Sequence, residues 1–205
     1  YKGSASTLVI PSEIDGKKVT GIGRMAFASC TTLTDVTIPD SVTSIGDWAF
    51  SDCDAIVNVK IPDTVTYLGE YAFRSCSSLK SVHIPKGIKT IEMRAFLSCS
   101  SLESLTIPEN ITSIGLGAFS LCKKLTDVTI PGNVKTVGEG AFSNCTGLLN
   151  VTISDGVTSI GKSAFASCDL LKNITRAVSV TSIGAAAFDW CSDLPSGKRP
   201  MWLGR

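Results

Sequence analysis

One period organises the whole chain. All eight cysteines, Cys30, Cys53, Cys76, Cys99, Cys122, Cys145, Cys168 and Cys191, stand 23 residues apart, and all eight phenylalanines, from Phe27 to Phe188, keep the same spacing. An alanine precedes every Phe, and a β-branched or leucine residue, such as Ile22, Ile45, Leu68 or Val137, lies five before it. The unit runs Leu33-x-x-Val36-x-Ile38-Pro39-x-x-Val42-x-x-Ile45-Gly46-x-x-Ala49-Phe50-x-x-Cys53 and restarts at Ile56. A fixed period of this length is the signature of a solenoid, in which each unit packs only on its neighbours.

Within the unit, Leu33 to Ile38 alternates apolar and polar residues and stops at Pro39, which has no N–H for a ladder, so it reads as a short strand. Val42 to Ile45 reads as a second extended piece closed by Gly46, where glycine suggests a positive φ. The remaining x-x-Ala-Phe-x-x-Cys is too short for more than one helical turn. About eight inward side chains at roughly 1.5–3 kcal/mol each do not cover the backbone entropy of a whole unit at about 1–2 kcal/mol per residue. A lone repeat should not fold; stacked repeats, sharing a parallel sheet, should.

The period fails at both ends. Between Pro11 and Gly23 there are five more residues than between Pro39 and Gly46, and Asp15-Gly16 within this insert carries hairpin-turn chemistry. Residues 1–32 therefore read as an N-terminal cap with an irregular first repeat, 33–191 as regular repeats and 192–205 as a C-terminal tail, all in one domain. Leu194, Met201, Trp202 and Leu203 in that tail are expected to cover part of the last repeat, whose apolar edge is otherwise bare.

With 19 basic and 18 acidic residues the net charge is +1, so charge alone recruits neither nucleic acid nor an anionic membrane. No apolar run reaches the roughly 18–20 residues of a membrane span. Starting at Tyr1 without an apolar leader, the sequence reads as a mature or trimmed piece.

The pattern Leu-x-x-Val-x-Ile-Pro followed by Val-x-x-Ile-Gly-x-x-Ala-Phe-x-x-Cys resembles the BspA-like, bacterial surface antigen class of leucine-rich repeats over about residues 8–194. The resemblance implies an α/β repeat solenoid: a right-handed horseshoe or superhelix with a parallel sheet on its concave face and short extended or helical turns on its convex face. It also implies export, to the cell surface, the periplasm or the medium, and a role as an adhesin or binder of host proteins. Glu92 in place of Gly, Ser154 and Ala177 in place of Pro, and Arg176 in place of Ile depart from the pattern.

Several chemistries can be weighed against the repeat itself. One Cys per unit at a fixed phase forms an inward ladder whose neighbours lie about 4.8 Å or more apart with parallel Cβ vectors. That spacing suits buried free thiols better than disulfides, whose Cβ atoms average about 3.8 Å, and a line of thiols cannot converge on zinc. Gly21-Ile-Gly23-Arg-Met-Ala26 matches a dinucleotide fingerprint, but Ser44-Ile-Gly46-Asp-Trp-Ala49 shows that this is only the repeat turn. His83 is the single histidine, on an outward strand position between Lys60 and Thr106 of adjoining repeats. No catalytic constellation, metal site or cofactor site can be assembled, so the chain is not read as an enzyme. Asn-x-Thr triplets at Asn110, Asn144, Asn150 and Asn173 matter only in a glycosylating host.

What remains is surface. Outward strand positions, such as Thr34, Lys60, His83, Thr129 and Thr152, form a small, polar face that suits either a broad protein contact or simply a solvated strand. The position two before Phe reads Met25, Trp48, Tyr71, Arg94, then Gly117, Gly140, Ser163, Ala186. Packing repeated by symmetry should not be so lopsided, so this position reads as exposed, with Tyr67, Met93 and Leu116 in neighbouring phases. Aromatics beside an arginine are what binding hot spots favour. The candidate binding residues are thus Met25, Trp48, Tyr67, Tyr71 and Arg94, with Lys60 and His83. The expected partners are proteins, among them host matrix or cell-surface proteins. The competing expectation is a structural spacer that self-associates through its ends or the Trp48 patch.

Overall fold

A computed structural model describes residues 5–195, which form a β-solenoid of about seven turns. All but one of the turns contribute two short strands, one to each of two parallel ladders. The first ladder stacks Thr7–Val9, Asp35–Thr37, Asn58–Lys60 and Ser81–Val82, and resumes with Asp127–Ile130, Asn150–Ile153 and Asn173–Arg176. The second stacks Gly21–Ile22, Ser44–Ile45 and Tyr67–Leu68, and resumes from Thr90–Ile91 to Ser182–Ile183. Pairing runs strictly in the repeat register, as in Val36 with Val59 and Ile45 with Leu68. Asp15 and Gly16, both at positive φ, turn the predicted hairpin between Glu13–Ile14 and Lys17–Lys18.

The expected helical turn is absent: no helix occurs among the described residues, so the solenoid is all-β rather than α/β. The hydrogen bonds give the reason. From Gly23 to Cys30, alternate amides close local turns (Ala26 to Gly23 O, Ala28 to Met25 O, Cys30 to Phe27 O). The amides between them donate to the next repeat, Met25 to Asp47 O, Phe27 to Ala49 O and Ser29 to Ser51 O, at 2.8–3.0 Å. A helix would spend every amide within its own segment. The alternation is set by two left-handed residues per turn, two before Phe and one before Cys, such as Trp48 (φ 53°) and Asp52 (φ 59°).

Gly46 and its equivalents do not have the positive φ expected of them. Their role is close approach: a Cβ on Gly69 would lie 2.5 Å from Asp47 N, and one on Gly115 2.8 Å from Met93 N. The amides of Gly46, Gly69, Gly115, Gly138, Gly161 and Gly184 each donate to the preceding repeat at 2.7–2.8 Å. Glu92 makes no such bond, and the second ladder splits between Tyr67–Leu68 and Thr90–Ile91, at the junction it occupies. A residue with a Cβ holds apart two backbones that glycine lets meet. The first ladder thins to a single bridge, Ser81 to Ser104, one repeat later, where Leu105 replaces the usual β-branched residue.

Where Ser154 and Ala177 replace proline, their amides donate to Ile130 and Ile153 carbonyls at 3.0 Å, bonds proline cannot make. The paired strands there reach four residues instead of three.

Inside, the phenylalanines form one continuous stack from Phe27 to Phe188, with centroids 5.1–5.7 Å apart and planes within 13°. Beside it, all eight thiols are buried, and those of Cys53 to Cys191 each donate to the carbonyl of the Phe 26 residues earlier. Burial pushes Cys53, Cys99 and Cys145 up to about 12 and raises Cys76 and Cys122 well above the ordinary thiol range. Leu194 is buried at the last repeat, whereas Met201, Trp202 and Leu203 lie outside the described residues.

Candidate functional site

The residues two before Phe lie on the turn side of the solenoid, one per repeat. Trp48 and Tyr71 are half-buried and stack with centroids 4.7 Å apart and planes 6° apart. Arg24 of the first repeat lies 4.9 Å over the Trp48 ring, and Arg94 of the fourth lies 5.7 Å over Tyr71 while donating from Nη1 to its hydroxyl at 2.8 Å. The aromatics are therefore not open platforms: the order Arg24, Trp48, Tyr71, Arg94 covers both faces of each ring and leaves their edges to solvent. Met25, at the start of the same column, is 55% exposed.

Met25, Trp48, Tyr71 and Arg94 sit at φ 52–56°. A left-handed conformation costs a residue with a Cβ roughly 1–2 kcal/mol. Each stack or exposed cation–π contact returns about 0.5–1.5 kcal/mol. Together with the apolar area that the half-buried rings cover, these contacts repay the strain, so the bulky groups are as compatible with a folded repeat as the glycine found at Gly117 and Gly140 (both φ 57°). Arg24 escaped the sequence reading because it belongs to a different phase of the repeat; only the stacking of successive turns brings it to Trp48.

Tyr67 is 46% exposed, and its hydroxyl donates to Asp47 Oδ1 at 3.0 Å, an oxygen that also accepts the Glu70 amide. Burial, then this bond, raises the Tyr67 phenol. Burial, followed by the charges of Glu70 and Asp47, raises Glu92. An acidic rim thus borders the cationic ladder.

Lys60 and His83 belong to the strand side and do not join that ladder. His83 Nε2 is 2.8 Å from Asp63 Oδ1, and His83, Ser81, Lys86, Thr106 and Pro108 line a cleft of about 380 Å3 where the first sheet thins. The Lys86 amide, then the histidine, lowers the Asp63 carboxyl. Threonines that immediately precede the second-ladder strands, including Thr43, Thr66, Thr112 and Thr158, donate to carbonyls of the preceding repeat, so the repeat itself explains them. Among the described residues, no three His, Cys, Asp or Glu side chains are placed to hold a metal ion, and no helix is long and apolar enough to cross a membrane.

Stacked parallel strands on a 23-residue register match the BspA type leucine rich repeat region in six copies, over residues 2–126 and 112–199. The chain belongs to this repeat family. Repeats of the BspA type are generally non-catalytic, are associated with bacterial surface proteins and suggest a protein-interaction module. The fold is similar to that of the leucine-rich repeat protein of T. pallidum, with a TM-score of 0.74, 29% identity, and coverage of 100% of this chain and 86% of that one. A leucine-rich cell surface protein of Faecalibacterium prausnitzii is 31% identical at a TM-score of 0.61, over 96% of this chain and 61% of that one. The pneumococcal vaccine antigen PcpA, 18% identical at 0.59 over 92% and 60%, shares the fold alone. No curated protein matches the chain.

Proposed function

We propose that this BspA type domain, spanning residues 1–205, is a non-catalytic, adhesin-like module that binds proteins of a host matrix or cell surface. In this reading it is exported and displayed at the bacterial surface or released. Its main contact is the turn-side ladder of Met25, Trp48, Tyr71 and Arg94 with Tyr67 at its rim, and Lys60 and His83 add a second contact on the strand side, the inner face of a right-handed horseshoe. The observation that carries this reading is the ladder: bulky aromatic and cationic groups on successive repeats, in a column that the later repeats fill with Gly117, Gly140, Ser163 and Ala186. Rigid aromatics and arginine at a fixed spacing are the groups that dominate protein interfaces, and a solenoid presents them with little entropy left to lose on binding.

The test is binding of immobilised matrix and serum proteins by the chain and by Trp48→Gly/Tyr71→Gly, which copies Gly117 and Gly140. Binding weakened about tenfold or more, with the fold intact, is expected; unchanged binding refutes the ladder as contact surface, and Lys60→Ala/His83→Ala tests the strand side. A second reading, a structural spacer that self-associates through its ends, is favoured by the apolar N-terminal cleft of about 330 Å3 lined by Leu8, Ile10, Ile14 and Val19.

A further inference from the structure

Where the ladder stops, a groove begins. Beyond Arg94 the column continues as Gly117, Gly140 and Ser163, and the missing side chains leave a trough of about 380 Å3 walled by Leu97 and Leu116, with Arg94 at one end and Glu139 on the rim.

The same side of the molecule carries a large apolar group in the open. Trp190 is 78% exposed and sits at φ 61°, one before Cys, where other repeats place Ser29, Ser75, Ser98 and Ser167. Residues of this column adjoin the column after Phe that borders the groove, as the 3.2 Å ion pair of Asp52 with Arg74 shows. Trp190 therefore lies on the groove's side of the solenoid, two to three repeats further along. Exposed acids, Asp189 and Asp193, flank it, whereas Arg94, with one of its N–H groups on the Tyr71 hydroxyl, stands at one end of the groove.

We propose that Trp190 of one copy of this chain fills the Leu97–Leu116–Gly140 groove of a second copy, with Asp189 approaching Arg94. Two turn faces packed antiparallel about a two-fold axis near the Ser163 repeat fill both grooves at once, the self-complementary arrangement of a closed dimer. The pairing sets a bulky aromatic against the two leucines that wall the trough and Asp189 against Arg94, at the end of the groove. Of the ladder only Arg94 enters this contact, and neither Trp190 nor Gly140 belongs to the ladder, so variants at those two positions test the pairing apart from the ladder's binding of another protein.

The repeats supply variants that retain the fold. Trp190→Ser installs the residue found at four equivalent positions, all at positive φ. Gly140→Tyr copies Tyr71 (φ 56°) at a site where the nearest atom to a new Cβ is Ser143 Oγ at 3.3 Å, and it fills the groove from within. Sedimentation velocity over about a hundredfold range of concentration should show a reversible dimer of the intact chain. Either variant should weaken it about tenfold or more. An equimolar mixture of the two should regain part of the association, because one groove and one tryptophan remain complementary. Circular dichroism and thiol protection confirm that each variant is folded; Trp190→Asn, which copies Asn144, and Gly140→Trp, which copies Trp48, replace any that is not. A chain that stays monomeric throughout, or a dimer unaffected by either folded variant, overturns the proposal.

Discussion

Gly69→Ala isolates what the repeat glycine does. Its φ is not positive, so an added methyl carries no left-handed strain, and the effect is one of contact alone. The new Cβ would meet Asp47 N and Asp47 Oδ1 at 2.5 Å and Gly46 C at 2.7 Å, so repeats two and three must part. Parting them endangers the bonds from Gly69 N to Ile45 O (2.8 Å), from Trp48 N to Glu70 O (2.9 Å) and from Glu70 N to Asp47 Oδ1 (3.0 Å). Overpacking at about 1–3 kcal/mol, with one or two of these bonds lost at about 0.5–1.5 kcal/mol each, gives an expected loss of roughly 1.5–6 kcal/mol. Glu92→Gly is the reciprocal change. It should restore the ladder bond to Leu68, worth about 0.5–1.5 kcal/mol, and, after glycine's entropic penalty of about 0.5–1 kcal/mol, shift stability by between about −0.5 and +1 kcal/mol. Urea unfolding gives the magnitudes, and hydrogen exchange of the Leu68–Ile91 junction locates them. If Gly69→Ala costs less than about 0.5 kcal/mol, or Glu92→Gly lowers protection at that junction, the close-approach argument fails.

Further expectations can be checked directly. In the native state the buried thiols should resist a disulfide reagent, and all eight should react after unfolding; rapid modification of Cys99 or Cys122 in the folded chain would contradict the inward ladder. Phe119→Ala removes a fully buried ring between two stacked neighbours and should cost about 3–5 kcal/mol, whereas Phe188→Ala, at the end of the stack, should cost less, as unfolding midpoints would show. The Glu92 carboxyl is raised in the folded state, so its ionised form opposes folding, and stability should increase as pH falls through that raised value toward the ordinary glutamate range. Glu92→Gln should remove this slope in urea midpoints measured across that range. Asp63 and Asp127, both lowered, act in the opposite sense: the stability they add is lost as pH falls through their depressed values.

The sequence by itself determined the period, the inward residues, the hairpin at Asp15-Gly16 and the family. A side chain that must be buried at the same phase in every turn leaves its mark in every turn, so Phe and Cys recur without exception. Two local assignments went astray because single repeats do not contain the partner that decides them. The x-x-Ala-Phe-x-x-Cys segment suits a helical turn until the next repeat's carbonyls take alternate amides, and Gly46 suggests a special φ until the backbone of the repeat before it is seen to lie against it. At the candidate site, the lopsided column from Met25 to Ala186 was legible, but the pairing of Arg24 with Trp48 and the closing of both ring faces were not. Those contacts join residues of different repeats and different phases, and only the stacking of turns about 5 Å apart, measured by the phenylalanine column itself, sets which groups meet.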